Sequence, residues 1–180
     1  MRKAILLSVK PKHLVNILNG KKIIELRKTS PDCGYPIDVY LYCSKGKDKL
    51  FYNRNKGWFI SNELDCIFVD GEKKLPYNGK VVGVFELHNI DEYGWHIEYI
   101  EVYINHPKGL NEFHKIGYGQ SLIETQDYVD DEVGVSCYPG DEPSSQLQSW
   151  IDKQFEEVEK EYQITKAPQS WQYVEVEDEE

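Results

Sequence analysis

The chain has 180 residues, 40% of them hydrophobic and 13% aromatic, with 13 Tyr and 4 Trp. That composition fits one folded domain able to bury roughly two-thirds of its unfolded surface, and it excludes a disordered chain. The net charge of −10 argues against a nucleic-acid partner, but residues 1–60 carry 13 Lys and Arg against four acids, while the other 120 residues carry 8 against 27. A chain polarised in this way can present a positive face to anions despite its overall sign.

No apolar run approaches the roughly 20 residues of a membrane span. The stretch after Met1-Arg2-Lys3 is too short for a signal peptide, so a cytoplasmic protein is expected. The spacings between Cys33, Cys43, Cys66 and Cys137 fit no paired metal-ligand pattern, and free thiols are expected. Neither a metal nor a cofactor is implied.

Lys3 to Val9 reads as a buried strand. Pro11 opens a short helix whose apolar face is Leu14, Ile17 and Leu18, and Asn19-Gly20 ends it. Lys22 to Lys28 reads as a strand by alternation. Ile23, Glu25 and Arg27 take one face, and Ile24 and Leu26 form an apolar face turned to the core. Pro31 to Pro36 is a turn, Ile37 to Cys43 a strand, and Ser44 to Lys49 a basic loop. Short strands fit Trp58 to Ile60 and Cys66 to Val69. Lys80 to His88 is the strongest strand pattern, and Trp95 to Ile104 is another alternating run. Leu110 to Phe113 starts a short helix, and Tyr118 to Gly140 reads as irregular. Ser144 to Tyr162 is an amphipathic helix with the stripe Leu147, Trp150, Ile151, Phe155, Val158 and Tyr162, capped by Ser144. Ser170 to Val176 is a last strand. The expected organisation is one α+β domain over residues 1–180, with a helical insertion at 141–163 and a frayed acidic tail at 177–180.

Several of these segments resemble an ASCH domain. The opening, LLSVKPKHLVNILNGKKIIELRKTSP, has a strand ending in Ser8-x-Lys10-Pro11, a short helix, and a Gly-x-Lys-x-x-Glu-x-Arg element formed by Gly20, Lys22, Glu25 and Arg27. VYLYCSKG, GKVVGVFEL, GWHIEYIEVY, HPKGLNEFHKIGYG and TKAPQSWQYVEV are similar to later segments of phage- and clostridial-type members. The resemblance implies a small twisted β-barrel of the PUA-like type, with a short helix after the first strand and an extra C-terminal amphipathic helix here. It also implies a cleft beside the first helix that binds RNA or a modified nucleotide, with Ser8 and Gly20 in its wall. Some small members are amidohydrolases that deacylate N4-acetylcytidine. They use a lysine at the Lys22 position, a hydroxyl three residues on, and a carboxylate from a later helix. Here Glu25 stands where that hydroxyl would be, and Glu112 is the candidate for the helical carboxylate.

Read as chemistry, Lys22 and Glu25 are the candidate catalytic pair. They meet only if the strand begins after Lys22 or carries a bulge. A desolvated lysine can act as base or nucleophile, whereas a neighbouring carboxylate favours its charged form. Arg27 suits a phosphate or a base edge, and Lys10 and Lys12 add phosphate contacts. Tyr40, Tyr42, Phe51, Tyr52 and Trp58 interleave with lysines and arginines, a pattern able to stack bases; core packing is the competing reading. His96 shares a strand face with Glu98 and is a candidate acid–base group in the cleft. Three functions follow: an RNA- or modified-nucleotide-binding module, an amidohydrolase using Lys22, or a phage or prophage protein-interaction domain acting through the helix Ser144 to Tyr162.

Overall fold

A computed structural model describes residues 1–136 and 140–179 of the chain. It is a mixed α+β protein built on a five-stranded sheet. In chain order its strands are β1 (Arg2–Val9), β3 (Ile37–Cys43), β8 (Val81–Leu87), β11 (Glu98–Val102) and β12 (Trp171–Val176), in the spatial order β11-β8-β3-β1-β12. β1 and β3 run parallel with Leu7 opposite Leu41; β12 and β8 flank them antiparallel. A parallel pair needs a crossover, and α1 (Pro11–Leu18) begins it. The smaller sheets are β2 (Ile24–Glu25) with β9 (Ile90–Asp91) and β10 (Gly94–His96), and the hairpins β4–β5 (Lys49–Asn53, Gly57–Ser61) and β6–β7 (Ile67–Val69, Glu72–Lys74).

β1 is an interior strand, between β3 and β12, and both its faces are covered, which is why Ala4 to Val9 is almost continuously apolar. Ile5, Leu7 and Val9 pack with Val39, Leu41, Phe85 and the α1 residues Leu14 and Ile17. Ala4 and Leu6 pack on the opposite face with Tyr40, Phe113, Ile164 and Val174. Each fully buried Leu or Ile contributes on the order of 2 kcal/mol relative to exposure. Cys33, Cys43 and Cys66 are free thiols; burial pushes Cys43 up to about 12, which makes it a packing residue. The expectation for Cys137 lies outside the described residues.

Four expectations are corrected. Residues 118–136, read as irregular, form the helix α2 (Tyr118–Ser136). Apart from Tyr118 and Val129 its described side chains are exposed or half-buried, so no apolar stripe marks it. Gln120–Glu124 and Gln126–Asp130 hydrogen bonds support its surface. The helical segment before β12 is therefore a pair, because α2 packs on α3 (Ser145–Tyr162) through Tyr128–Trp150 and Ser121–Tyr162. The stripe of α3 is half-buried against this partner, and Ser144 caps the helix by accepting from the Leu147 N–H, as expected. Residues 95–104 are two strands in separate sheets, with an irregularity between Glu98 and Glu101 where Tyr99 has a φ of 52°. The strand expected over 22–28 shrinks to the two residues of β2. Finally, the tail is tethered: Asp178 pairs with the amino terminus at 2.7 Å and Glu179 with Arg2 at 3.8 Å. Glu180 lies outside the described residues.

His114 joins the helical pair to the sheet. Its backbone exchanges hydrogen bonds with Glu175 of β12. Its ring stacks on Tyr118 at 3.8 Å, and Nε2 lies 2.8 Å from Oε1 of Glu159. Tyr118 donates to the same carboxylate. Partial burial pushes Glu159 up, but the hydrogen bonds from Tyr118 and His114 outweigh it and hold the group below the usual carboxylate range. A depressed folded pKa means the stabilisation is complete above the ordinary Glu value and is lost as pH falls through the lower folded one. His114→Ala should therefore cost about 1–3 kcal/mol in urea unfolding at about pH 6. Hydrogen exchange should then show α2 and α3 losing protection first. The mutational cost should shrink as pH falls through the lowered Glu159 value. Equal protection of the helices in mutant and wild type would refute this clamp.

Candidate functional site

The turn after α1 sets the site. Gly20 takes a φ of 74°, and the N–H groups of Lys21 and Lys22 both donate to Asn16 O, at 2.8 and 3.0 Å. The chain then enters β2, where Glu25 lies opposite Trp95 of β10. The approach is close: a Cβ on Gly94, whose φ is 125°, would lie 2.5 Å from the Glu25 carbonyl oxygen. Only glycine fits there.

The alternation expected over this segment does not hold. Glu25 is 5% exposed, whereas Ile23 and Leu26 are 64% and 71% exposed. Leu26, expected in the core, looks outward, Ile24 is half-buried, and Ile23 does not share the burial of Glu25, whose carboxylate meets two cations inside. Lys22 Nζ is 2.7 Å from Oε2, an ion pair outside hydrogen-bond geometry. Arg27 Nε donates to Oε1 at 3.1 Å. The strand does begin after Lys22, which is the condition under which Lys22 and Glu25 can meet. Arg27 also donates through Nη2 to Ser8 O at 2.8 Å and through Nη1 to Ser170 Oγ at 3.3 Å. Ser8 Oγ in turn donates to Pro168 O at 2.6 Å. One arginine thus ties β1, β2 and the segment before β12 together.

Against this bracket lies a cleft of about 570 Å³. Ser8, Lys10, Lys12, Glu25 and Arg27 line it, so five of the expected site residues converge. Lys22 adjoins it through Glu25, and Gly20 shapes the turn without lining it. Lys45 and Lys47 of the basic loop complete the wall, with His13 and Gln169. Asn78 fixes that loop by donating to Ser44 O and Asp48 O. Partial desolvation, then Lys22, Lys12 and Lys10, push the His13 pKa down against the pull of Glu25. Sequence reasoning missed His13, Gln169 and Ser170. Their contribution comes from tertiary placement, and no local pattern marks it.

Two expected residues stand elsewhere. Tyr40 is buried on the opposite face of β3, where its hydroxyl accepts from Arg2 and its ring packs edge-on to Phe113. His96 bonds Asp91 at 2.8 Å in place of the expected Glu98, because the strand breaks between β10 and β11. The base-stacking platform also dissolves into packing: Tyr40, Tyr42, Phe51 and Trp58 are buried. Glu112, the candidate helical carboxylate, sits in a 3-10 turn where it caps Gly109 N–H, and it lines a different pocket. Another cavity of about 410 Å³, lined by Phe51, Tyr52, Tyr77, Leu75 and Ile104, is mainly apolar and holds none of the residues that line the cleft. Among the described residues no cluster of three or more His, Cys, Asp or Glu side chains is placed to hold a metal, and no helix is long and apolar enough to cross a membrane.

Glu25→Gln keeps the shape of the side chain and strands two cations. It should destabilise the protein by about 2–4 kcal/mol in urea unfolding, and a change below about 0.5 kcal/mol would mark the bracket as a surface pair. His13 should titrate, by NMR, below the roughly 6.5 of an unhindered imidazole, and its midpoint should rise in Lys12→Ala. A midpoint at the ordinary value in both proteins would exclude a cationic field in the cleft. Comparison of the chain with protein-family models, with curated proteins and with solved structures found no match.

Proposed function

We propose that the chain is an ASCH-type domain of the PUA-like, small twisted β-barrel class, a cytoplasmic protein whose cleft binds RNA or a modified nucleotide. The observation that carries this reading is a set of unspent charges. Lys10, Lys12, Lys45 and Lys47 converge on one cleft, and among the described residues none of them has an ion-pair partner. Glu25 in the lining is matched by Lys22 and Arg27, which leaves Asp48 against four lysines, and in a chain of net charge −10 that local excess favours an anionic ligand. Lys22 and Arg27 play a different part: both are spent on Glu25, so they hold the wall that the free lysines stand on.

The amidohydrolase reading needs a Lys22 amine free to attack. Its Nζ is held at 2.7 Å by a buried carboxylate, which favours binding over hydrolysis. The reading as a phage or prophage interaction domain rests on the acidic α3, which lies outside the cleft wall.

A labelled single-stranded RNA of about ten nucleotides should bind, with an affinity that falls steeply between about 50 and about 200 mM salt. Lys10→Ala combined with Lys12→Ala should weaken binding about tenfold and reduce the log–log salt slope by about 1. Binding that ignores salt and both lysines would sink the proposal. Release of cytidine from N4-acetylcytidine by the wild type and not by Lys22→Ala would replace it with the hydrolase.

A further inference from the structure

The cleft does not end at Lys45. A second hollow of about 280 Å³ shares Ser8, Ser44 and Lys45 with it and extends along Thr165, Lys166 and Pro168. The two are adjoining lobes because the same strand ends build both. Ser44 N–H donates to Val9 O at 3.0 Å, which fixes the end of β3 beside the end of β1. Ser8 N–H donates to Ser170 O at 2.8 Å and Ser8 Oγ to Pro168 O at 2.6 Å, which fixes the 165–170 segment on the other side. Ser8 and Lys45 form the waist.

The cations follow this shape. Lys10, Lys12 and Lys47 belong to the first lobe, Lys45 to both, and Lys166 to the second. Lys166 is exposed and, like the others, has no ion-pair partner among the described residues. A free nucleoside carries no charge and uses none of these groups. A mononucleotide brings its phosphate to one place. A strand with successive phosphates meets both lobes. Stacking has little to add, since His13 is the one aromatic side chain lining the first lobe and Tyr42 in the second is buried. Recognition led by phosphates positions a strand without reading its bases.

Resting on the RNA reading above, we infer that the ligand is a single RNA strand spanning both lobes, held by its backbone, with Lys45 and Lys166 as binding residues and little dependence on base sequence. The test is a series of oligoribonucleotides from one to about six nucleotides, measured by competition against a labelled strand. Affinity should climb with each added phosphate and level off at about four, with a salt slope near −3 for about four phosphates neutralised on a single strand. Lys166→Ala should cut the gain from the mononucleotide to the plateau about fivefold. Lys73→Ala, an exposed position on β7 away from both lobes, should leave the whole series unchanged. A mononucleotide that binds as tightly as the longer strands, or a silent Lys166→Ala, would overturn the two-lobe inference and leave a one-lobe nucleotide site. Failure of every length to bind would overturn the RNA reading itself, and this inference with it.

Discussion

Everything at this site hangs on how a buried carboxylate is kept charged. Glu25 has lost nearly all its water, and an ionised carboxylate in that position is tolerated only with cations and hydrogen bonds upon it. Lys22 and Arg27 supply them from the same stretch of chain, three residues before and two after. Because Arg27 has donors left over, the solution of a local problem becomes a long-range tie to Ser8 and Ser170. The exposure of Ile23 and Leu26 is the other side of that arrangement: with the strand anchored by its acid, the leucine and isoleucine have nowhere to turn but outward.

This division of labour separates two kinds of cation that look alike in the sequence. Those in the bracket are half-buried, partnered and fixed. Those around the cleft stand in water with no partner. Only the second kind can exchange small ions for a ligand, and only the first kind can hold a wall in place. The helical pair belongs to a third arrangement, in which Glu159 accepts from His114 and Tyr118 at the far side of the sheet. Its acids line other hollows than the cleft, so the negative half of the chain leaves the positive site open.

Much of the framework was legible because the sequence marks it redundantly. β1, α1, β3, β8 and α3 each combine an apolar period with a turn or cap residue, and Pro11 and Ser144 sit where such residues belong. The gathering of Ser8, Lys10, Lys12, Glu25 and Arg27 around one cleft was expected from the resemblance of the opening segment. The rest failed for stated reasons. Alternation assumes that the apolar face goes inward, and at Glu25 a charge cluster outweighed it. A helix that is polar almost all round, such as α2, has no stripe to read. Tyr40 and Tyr42 alternate with nothing that says which neighbour will cover them, and the group around Phe113, Ile164 and Leu110 packs on their face. Residues 165–170 form a wall only because β1 ends against them, which no local pattern encodes.

The pairing of β1 with β12 has a consequence for how the protein comes into being. Arg2 is partnered with Val176, so one edge of β1 stays uncovered until the chain as far as residue 176 is available. Contacts of such sequence separation form late, after the entropy of closing a long loop has been met. During synthesis the basic first third therefore emerges without its cleft, and β1 offers an unpaired apolar edge in the meantime. The lysines that would meet an anion are made early; the geometry that lets them act together arrives only when the last strand docks.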